Sequence, residues 1–292
     1  MAGSSDYRAG SAAAVAALFA GATVWGLVWY PYRLIEAAGM SGLLATTLTY
    51  AVALVLGLAL FYRQLRGVRV DRWLVAIAIA SAGCNLGYVL AVLHGEIMRV
   101  LLLFYLAPLW TVLLARLLLN ERLTRAGLAV VALSLTGATI MLWHPETGLP
   151  WPRQGAEWLG LGAGFMFALS NVLIRRADHY SIPLKSMAVF AGIVLIGLLG
   201  ILLLEPVAVP AASGRVWALL LAVGVVLLVI NPVVQYGLAR VAAGRAIVIF
   251  LFELMVAAFA SWWLADEVMD AREWLGGALI VAASLFSAKL ES

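Results

Sequence analysis

Ten apolar runs, each close to the length of a membrane-crossing helix, follow one another along this chain with only short polar breaks. A helix rises 1.5 Å per residue, so about 20 apolar residues cross a hydrocarbon core about 30 Å thick. The runs lie at 11–32, 40–62, 73–93, 97–118, 126–143, 156–175, 185–204, 215–238, 243–265 and 273–289. Of the 292 residues, 65% are hydrophobic and 12% charged. A water-soluble domain is about half apolar and a quarter charged, because its surface must be wetted. The excess leaves the bilayer as the solvent, and an all-α integral membrane fold is expected. The first run is too long for a secretory signal and leads straight into further spans, so it is read as a retained helix.

A pI near 9.4 would suggest nucleic acid in a soluble protein, but here the cations fall in short loops, where they set orientation. Only Arg33, Arg99, Arg153, Arg215 and Arg272 belong to one set of alternate loops, and every other Lys and Arg belongs to the opposite set. Both termini are therefore expected to be cytoplasmic, in a multi-pass protein of a bacterial inner membrane. Arg99 and Arg116, at the edges of the fourth run, must snorkel or line a polar cavity. The segment His144 to Gln154, with Trp143 and Trp151 at its edges, reads as an interfacial connector.

Several chemistries are excluded. Cys84 is the single cysteine, so no intrachain disulfide or cysteine-based metal site can form. The chain has no glycine-rich phosphate loop and no paired intramembrane carboxylates, and His94, His144 and His179 all fall near span ends. An ATP-driven pump and an intramembrane enzyme are thereby disfavoured. No cofactor, metal or nucleic-acid partner is expected, only a small-molecule substrate and surrounding lipid, with the chain as a monomer.

Shifting the chain by 146 positions aligns Asn85 with Asn231, Arg99 with Arg245, Phe104 with Phe250, Leu118 with Leu264 and Glu121 with Glu267. A shift of 143 aligns Leu18, Ala20, Gly21 and Arg33 with Leu161, Ala163, Gly164 and Arg176. The chain thus reads as two five-helix repeats, 1–150 and 151–292. Five is odd, so the second repeat must enter the membrane from the other side. Such inverted repeats characterise transporters whose site lies between the halves near the midplane.

The run Leu103-Phe104-Tyr105-Leu106-Ala107-Pro108-Leu109-Trp110, then Leu119-Asn120-Glu121-Arg122-Leu123-Thr124, resembles the fourth helix and following loop of EamA-type proteins of the drug/metabolite transporter superfamily. The stretch Phe252-Glu253-Leu254 through Leu264-Ala265-Asp266-Glu267, then Trp274-Leu275-Gly276, resembles the matching part of the second EamA repeat. The resemblance implies ten helices around a central cavity. It is closest to the YddG-type amino-acid exporters, through Tyr105-Leu106-x-Pro108 and Phe167-Ala168. That pattern has tryptophan where this chain has Ala107 and Phe167, which implies a cavity with more room or a different shape. Proline commonly follows the glutamate where this chain has Leu254. Export of amino acids, aromatic or other neutral ones included, or of similar small metabolites is what the resemblance implies; efflux of drug-like organic cations is the alternative.

Glu253 is the one carboxylate well inside a run, where an ionised group costs roughly 3 kcal/mol unless it faces protein or water. It could carry a coupling proton, bind an ammonium group, or hold its helix against a neighbour. Asn85, Asn171 and Gln235 are amides within the runs and must find partners, in protein or in a substrate. Trp25, Tyr88, Tyr105, Phe167 and Tyr236 could supply the apolar wall of a site, and the resemblance marks Tyr105 as cavity-lining. Pro108 and Pro232 remove backbone donors and are candidate hinges. Gly83 and Gly87, and Gly160, Gly164 and Ala168, recur every fourth position and read as packing surfaces.

Overall fold

The computed structural model describes residues 2–67, 70–95, 97–122, 124–143, 152–204, 213–264 and 270–289. Residues 144–151 of the connector and Ala265 to Glu267 lie outside the described residues, as do the side chains of Arg8, Arg99 and Lys289. All regular structure among the described residues is helical: α1 (Ala2–Ala37), α2 (Gly42–Leu65), α3 (Arg72–His94), α4 (Ile97–Phe104), α5 (Ala107–Leu119), α6 (Arg125–Leu142), α7 (Gly155–Arg176), α8 (Ile182–Leu204), α9 (Gly214–Leu238), α10 (Ala243–Phe250), α11 (Phe252–Leu264) and α12 (Ala271–Lys289). Helix is the expected outcome, because lipid offers no partner for backbone polar groups. Among the described residues nine spans are long and apolar enough to cross a membrane, with α4 and α5 forming one and α10 and α11 another. The tenth helix, α12, has a shorter apolar stretch, Trp274–Phe286.

Local chemistry sets several ends. Ser41 caps α2 by accepting from the Leu44 N–H at 3.1 Å, and Thr124 caps α6 by accepting from the Gly127 N–H at 3.0 Å. Asp71 caps α3 by accepting from the N–H groups of Trp73 and Leu74. The Tyr180 hydroxyl, from the α7–α8 turn, also bonds Asp71 and holds its carboxyl below the usual value of 3.8, and the same bond raises the Tyr180 hydroxyl.

The two spans read as continuous helices at 97–118 and 243–265 are each interrupted, at matching places. Pro108 has no N–H for the Phe104 carbonyl, and the chain turns through Leu106, whose N–H reaches the Leu103 carbonyl at 3.3 Å. In the second span the chain tightens without proline. The Leu251 N–H is shared between the Ile247 and Val248 carbonyls, and the Leu254 N–H reaches the Leu251 carbonyl at 3.1 Å.

Packing between the halves comes in matched pairs. α3 packs on α7 as α9 packs on α1, α3 on α8 as α9 on α2, and α5 on α7 as α11 on α1; α2 packs on α8, and α6 on α12. Small residues permit the close crossings: a methyl group at Gly87 would stand 3.3 Å from the Ala163 methyl, and one at Gly160 would stand 3.1 Å from Val100. A methyl at Gly164 would collide with the Phe104 carbonyl oxygen, the acceptor that Pro108 leaves without its helical donor.

The pairing fails at one place. α10 also packs on α5 and α6, whereas among the described residues α4 has no comparable packing on α11 or α12. The bundle is therefore closed on the face that carries the α5–α6 and α9–α10 turns, called the basic face below. Among the described residues no equivalent packing joins the halves on the face that carries the α1–α2 turn.

Candidate functional site

A cavity of about 740 Å³ runs into the bundle between the halves. Its mouth is lined by Trp29, Arg33, Glu36 and Gly42 at the α1–α2 end, and its deep wall by Ile174, Val189 and Leu238. The mouth carries the charged residues Arg33 and Glu36, while the deep wall is apolar. Of the residues singled out from the sequence, Trp25, Asn85, Tyr88, Tyr105, Phe167, Asn171, Gln235 and Glu253 all line it.

Tyr105 and Glu253 meet where the two broken spans face each other. The Tyr105 hydroxyl donates to Glu253 Oε1 at 3.3 Å, joining the first half to the second. Among the described residues no Lys, Arg or His forms an ion pair with Glu253, so the cavity holds a carboxylate whose protein partner is a phenol. Around this pair lies an aromatic cluster. Phe167 stands 5.6 Å from Phe104 and 5.8 Å from Phe250, and Trp25 stands 5.2 Å from Phe250. Phe104 and Phe250 are the residues that the 146-position shift aligns, so each broken span sends one ring to the same place.

The amides differ in what they have left to offer. Asn85 donates to the Ser81 carbonyl of its own helix at 2.9 Å, and the Ser81 and Ser170 hydroxyls are 2.7 Å apart. Gln235 donates to Asn231 Oδ1 at 3.4 Å. One amide atom each of Asn171 and Gln235 is buried with no partner among the described residues, although both side chains line the cavity. Buried polar atoms cost about 1–3 kcal/mol when unsatisfied, so these two are poised for a solute or water.

Two expectations need correction. Tyr236 does not line the cavity; its ring lies under the Arg240 guanidinium, 3.8 Å away, at the basic end of α9. Its neighbour Gln235 points inward instead, because adjacent helical residues are about 100° apart. Ala107 is buried at the start of α5 and does not line the cavity, so no extra room arises from it. Pro108 begins α5 beside the first break, whereas Pro232 lies inside α9, which continues through it. Sequence reasoning missed Tyr32, Glu36, Tyr50 and Cys84 on the cavity wall. The first two continue a stripe from Trp25 and Trp29 at helical spacing, which was legible as a face but not as this face.

On the basic face the cavity ends above a set of polar ties. Glu121, just beyond α5, accepts from Arg175 Nε of α7 with one oxygen, and from the Ala243 N–H at the start of α10 with the other, at 3.0 Å. Asn120, at φ 56°, turns the chain so that this carboxylate faces inward. Arg175 also donates to the Ala239 carbonyl at 3.5 Å, Arg176 donates to the Leu118 carbonyl, and Lys185 donates to the Ile174 carbonyl at 3.2 Å.

Comparison with known proteins bears on what such a cavity serves. A solved crystal structure superposes with a TM-score of 0.77 over 94% of this chain and 96% of that one, at 19% identity, which shows the shared fold. A protein of Brucella anthropi named a riboflavin transporter is 25% identical over 257 residues, covering 83% of this chain and 86% of that one. Protein RarD of Streptomyces exfoliatus is 26% identical over 279 residues, covering 89% and 83%. The pseudopaline exporter CntI of Pseudomonas aeruginosa is 28% identical over 200 residues, covering 68% of each. The profile of the EamA-like transporter family matches twice, at residues 12–143 and 154–288, one match on each side of the connector. The chain belongs to the EamA-like transporter family, and it is a membrane transporter rather than an enzyme.

Proposed function

We propose that this protein is a secondary transporter that exports amino acids, aromatic or other neutral ones included, or similar small metabolites, across a bacterial inner membrane by alternating access. The observation that carries the reading is the cavity between the halves, which reaches Trp29, Arg33 and Glu36 near the α1–α2 turn and is tied shut at the basic face. In this reading 1–150 and 151–292 are inverted repeats, both termini are cytoplasmic, and the monomer is the working unit. The basic face is then cytoplasmic and the open mouth external. Glu253 and Tyr105 hold the ammonium group, Asn171 and Gln235 the remaining polar edges, and Trp25, Phe104 and Phe167 the side chain. Purified protein in liposomes, given a panel of radiolabelled amino acids with and without a pH gradient, tests this. Counterflow of at least one neutral amino acid is expected, and movement of none would sink the claim.

A second reading is favoured by the size and aromatic content of the cavity, by the carboxylate, and by the relatives named riboflavin transporters: a larger planar solute, organic cations among them. Efflux of an aromatic cation that is lost in Glu253→Gln while amino-acid flux is kept would select it.

A further inference from the structure

A second cavity, of about 420 Å³, lies outside the bundle core on the basic face, between the end of α5 and the start of α6. It is lined by Val112, Arg116, Glu121, Arg122 and Leu128. It exists because α5 and α6 diverge, with no packing comparable to that of α11 against α12 in the second half.

The charges in it are unbalanced. The Glu121 carboxylate is already engaged by Arg175 and by the Ala243 N–H. Arg116 and Arg122 are both exposed, and neither has a hydrogen bond or ion pair with another described residue. Among the described residues, two guanidinium groups therefore share one pocket with no anion of their own. Their height is informative: Arg116 is in the last turn of α5 and Arg122 just past its end, so both lie where a membrane meets water. One turn deeper the wall becomes apolar, with Val112 and Leu128, and the adjoining surface of α5 exposes Leu113 and Leu117.

A guanidinium pair above an apolar wall matches a phosphodiester with acyl chains beneath it. We propose that this pocket binds the headgroup of an anionic phospholipid, with Arg116 and Arg122 on the phosphate and the chains along Val112 and Leu128. Basic pockets between transmembrane helices bind such headgroups on the membrane side rich in anionic lipid. The apolar wall favours a lipid over free phosphate. The second half offers no equivalent, since the matching positions hold Trp262 and Val268 in place of the arginines, and Ala258 and Trp274 in place of Val112 and Leu128. The site is thus a property of one face, and it stands whatever the transported solute is.

Native mass spectrometry of the full-length protein, titrated with phosphatidylglycerol or phosphatidylcholine, tests the proposal. Wild type should retain phosphatidylglycerol about tenfold better than phosphatidylcholine. Arg116→Gln/Arg122→Gln should lose that preference, while Arg63→Gln/Arg66→Gln, on the same face but outside the pocket, should keep it. Equal retention of the two lipids by wild type would overturn the proposal without any variant having to fold. So would an equal loss of preference in both double variants. Inorganic phosphate that displaces phosphatidylglycerol at equal concentration would instead make the pocket a free-phosphate site and overturn the lipid assignment.

Discussion

The two broken spans occupy matching positions in the two halves, yet they break for different reasons and end in different company. In the first, Pro108 removes a donor and the freed Phe104 carbonyl is pressed against Gly164. In the second, no proline is present and the helix tightens through Leu251. The half-helix α10 is then gripped at the basic face by Glu121, α5 and α6, while among the described residues its counterpart α4 has no comparable packing on α11 or α12. Matching sequence elements thus hold unlike environments among the described residues. Symmetry in the sequence sets which contacts are available, and the conformation decides which half makes them.

The largest test concerns the glycines that the 143-position shift pairs. Gly164→Ala should lower the thermal midpoint by the equivalent of about 3 kcal/mol, because the obstructing Phe104 carbonyl belongs to the backbone. Gly21→Ala should cost less, about 2 kcal/mol, because it meets a methyl of the buried Val234 side chain rather than backbone. Equal costs would remove the asymmetry.

Next in size is Glu121→Ala. Hydrogen bonds to charged groups contribute about 1.5–3 kcal/mol, so losing this tie should shift the closed-to-open ratio of the basic face by about tenfold or more. Cys84, on the cavity wall, is a built-in reporter. An impermeant maleimide applied from the basic face should label the variant much faster than wild type, and unchanged labelling would show that Glu121 does not hold that face shut.

A smaller effect is expected of Leu254→Pro, which places a proline where Pro108 stands in the first half. Its N–H now reaches only the Leu251 carbonyl, so the cost should be about 1 kcal/mol. Leu114→Pro, inside α5, should cost about 3 kcal/mol or more in the same melting assay.

The smallest effect concerns Asp71 and Tyr180. The carboxyl of Asp71 is held below its usual value, so its contribution is complete above pH 3.8 and is lost as the pH falls through the lower folded value. Wild type and Tyr180→Phe should differ slightly in thermal midpoint at neutral pH and converge in acid. A difference that persists there would locate the effect of the tyrosine elsewhere.

The spans were legible because hydropathy reports length and burial directly, and the break at Pro108 because proline lacks a donor. The break at Leu251 was not legible, since nothing in Phe250-Leu251-Phe252 forbids a continuous helix and tertiary contacts impose the turn. The inward side of α1 could not be told from its lipid side, because both are apolar and only packing separates them. Tyr236 and Gln235 illustrate the same limit: one residue of rotation decides between the cavity and the Arg240 stack. Glu121 was legible as half of a repeated pair, but its partners, 54 and 122 positions away, were not.

The tie between Glu121 and α10 has a consequence for variation within such a protein. Its donor is the main-chain N–H of Ala243, which every residue except proline carries. Almost any substitution at position 243 therefore leaves the donor in place. The strength of closure on that side is therefore set by the Glu121 carboxylate and its second partner Arg175, while change at position 243 acts only through the packing of its buried side chain against Ala115 and Val172.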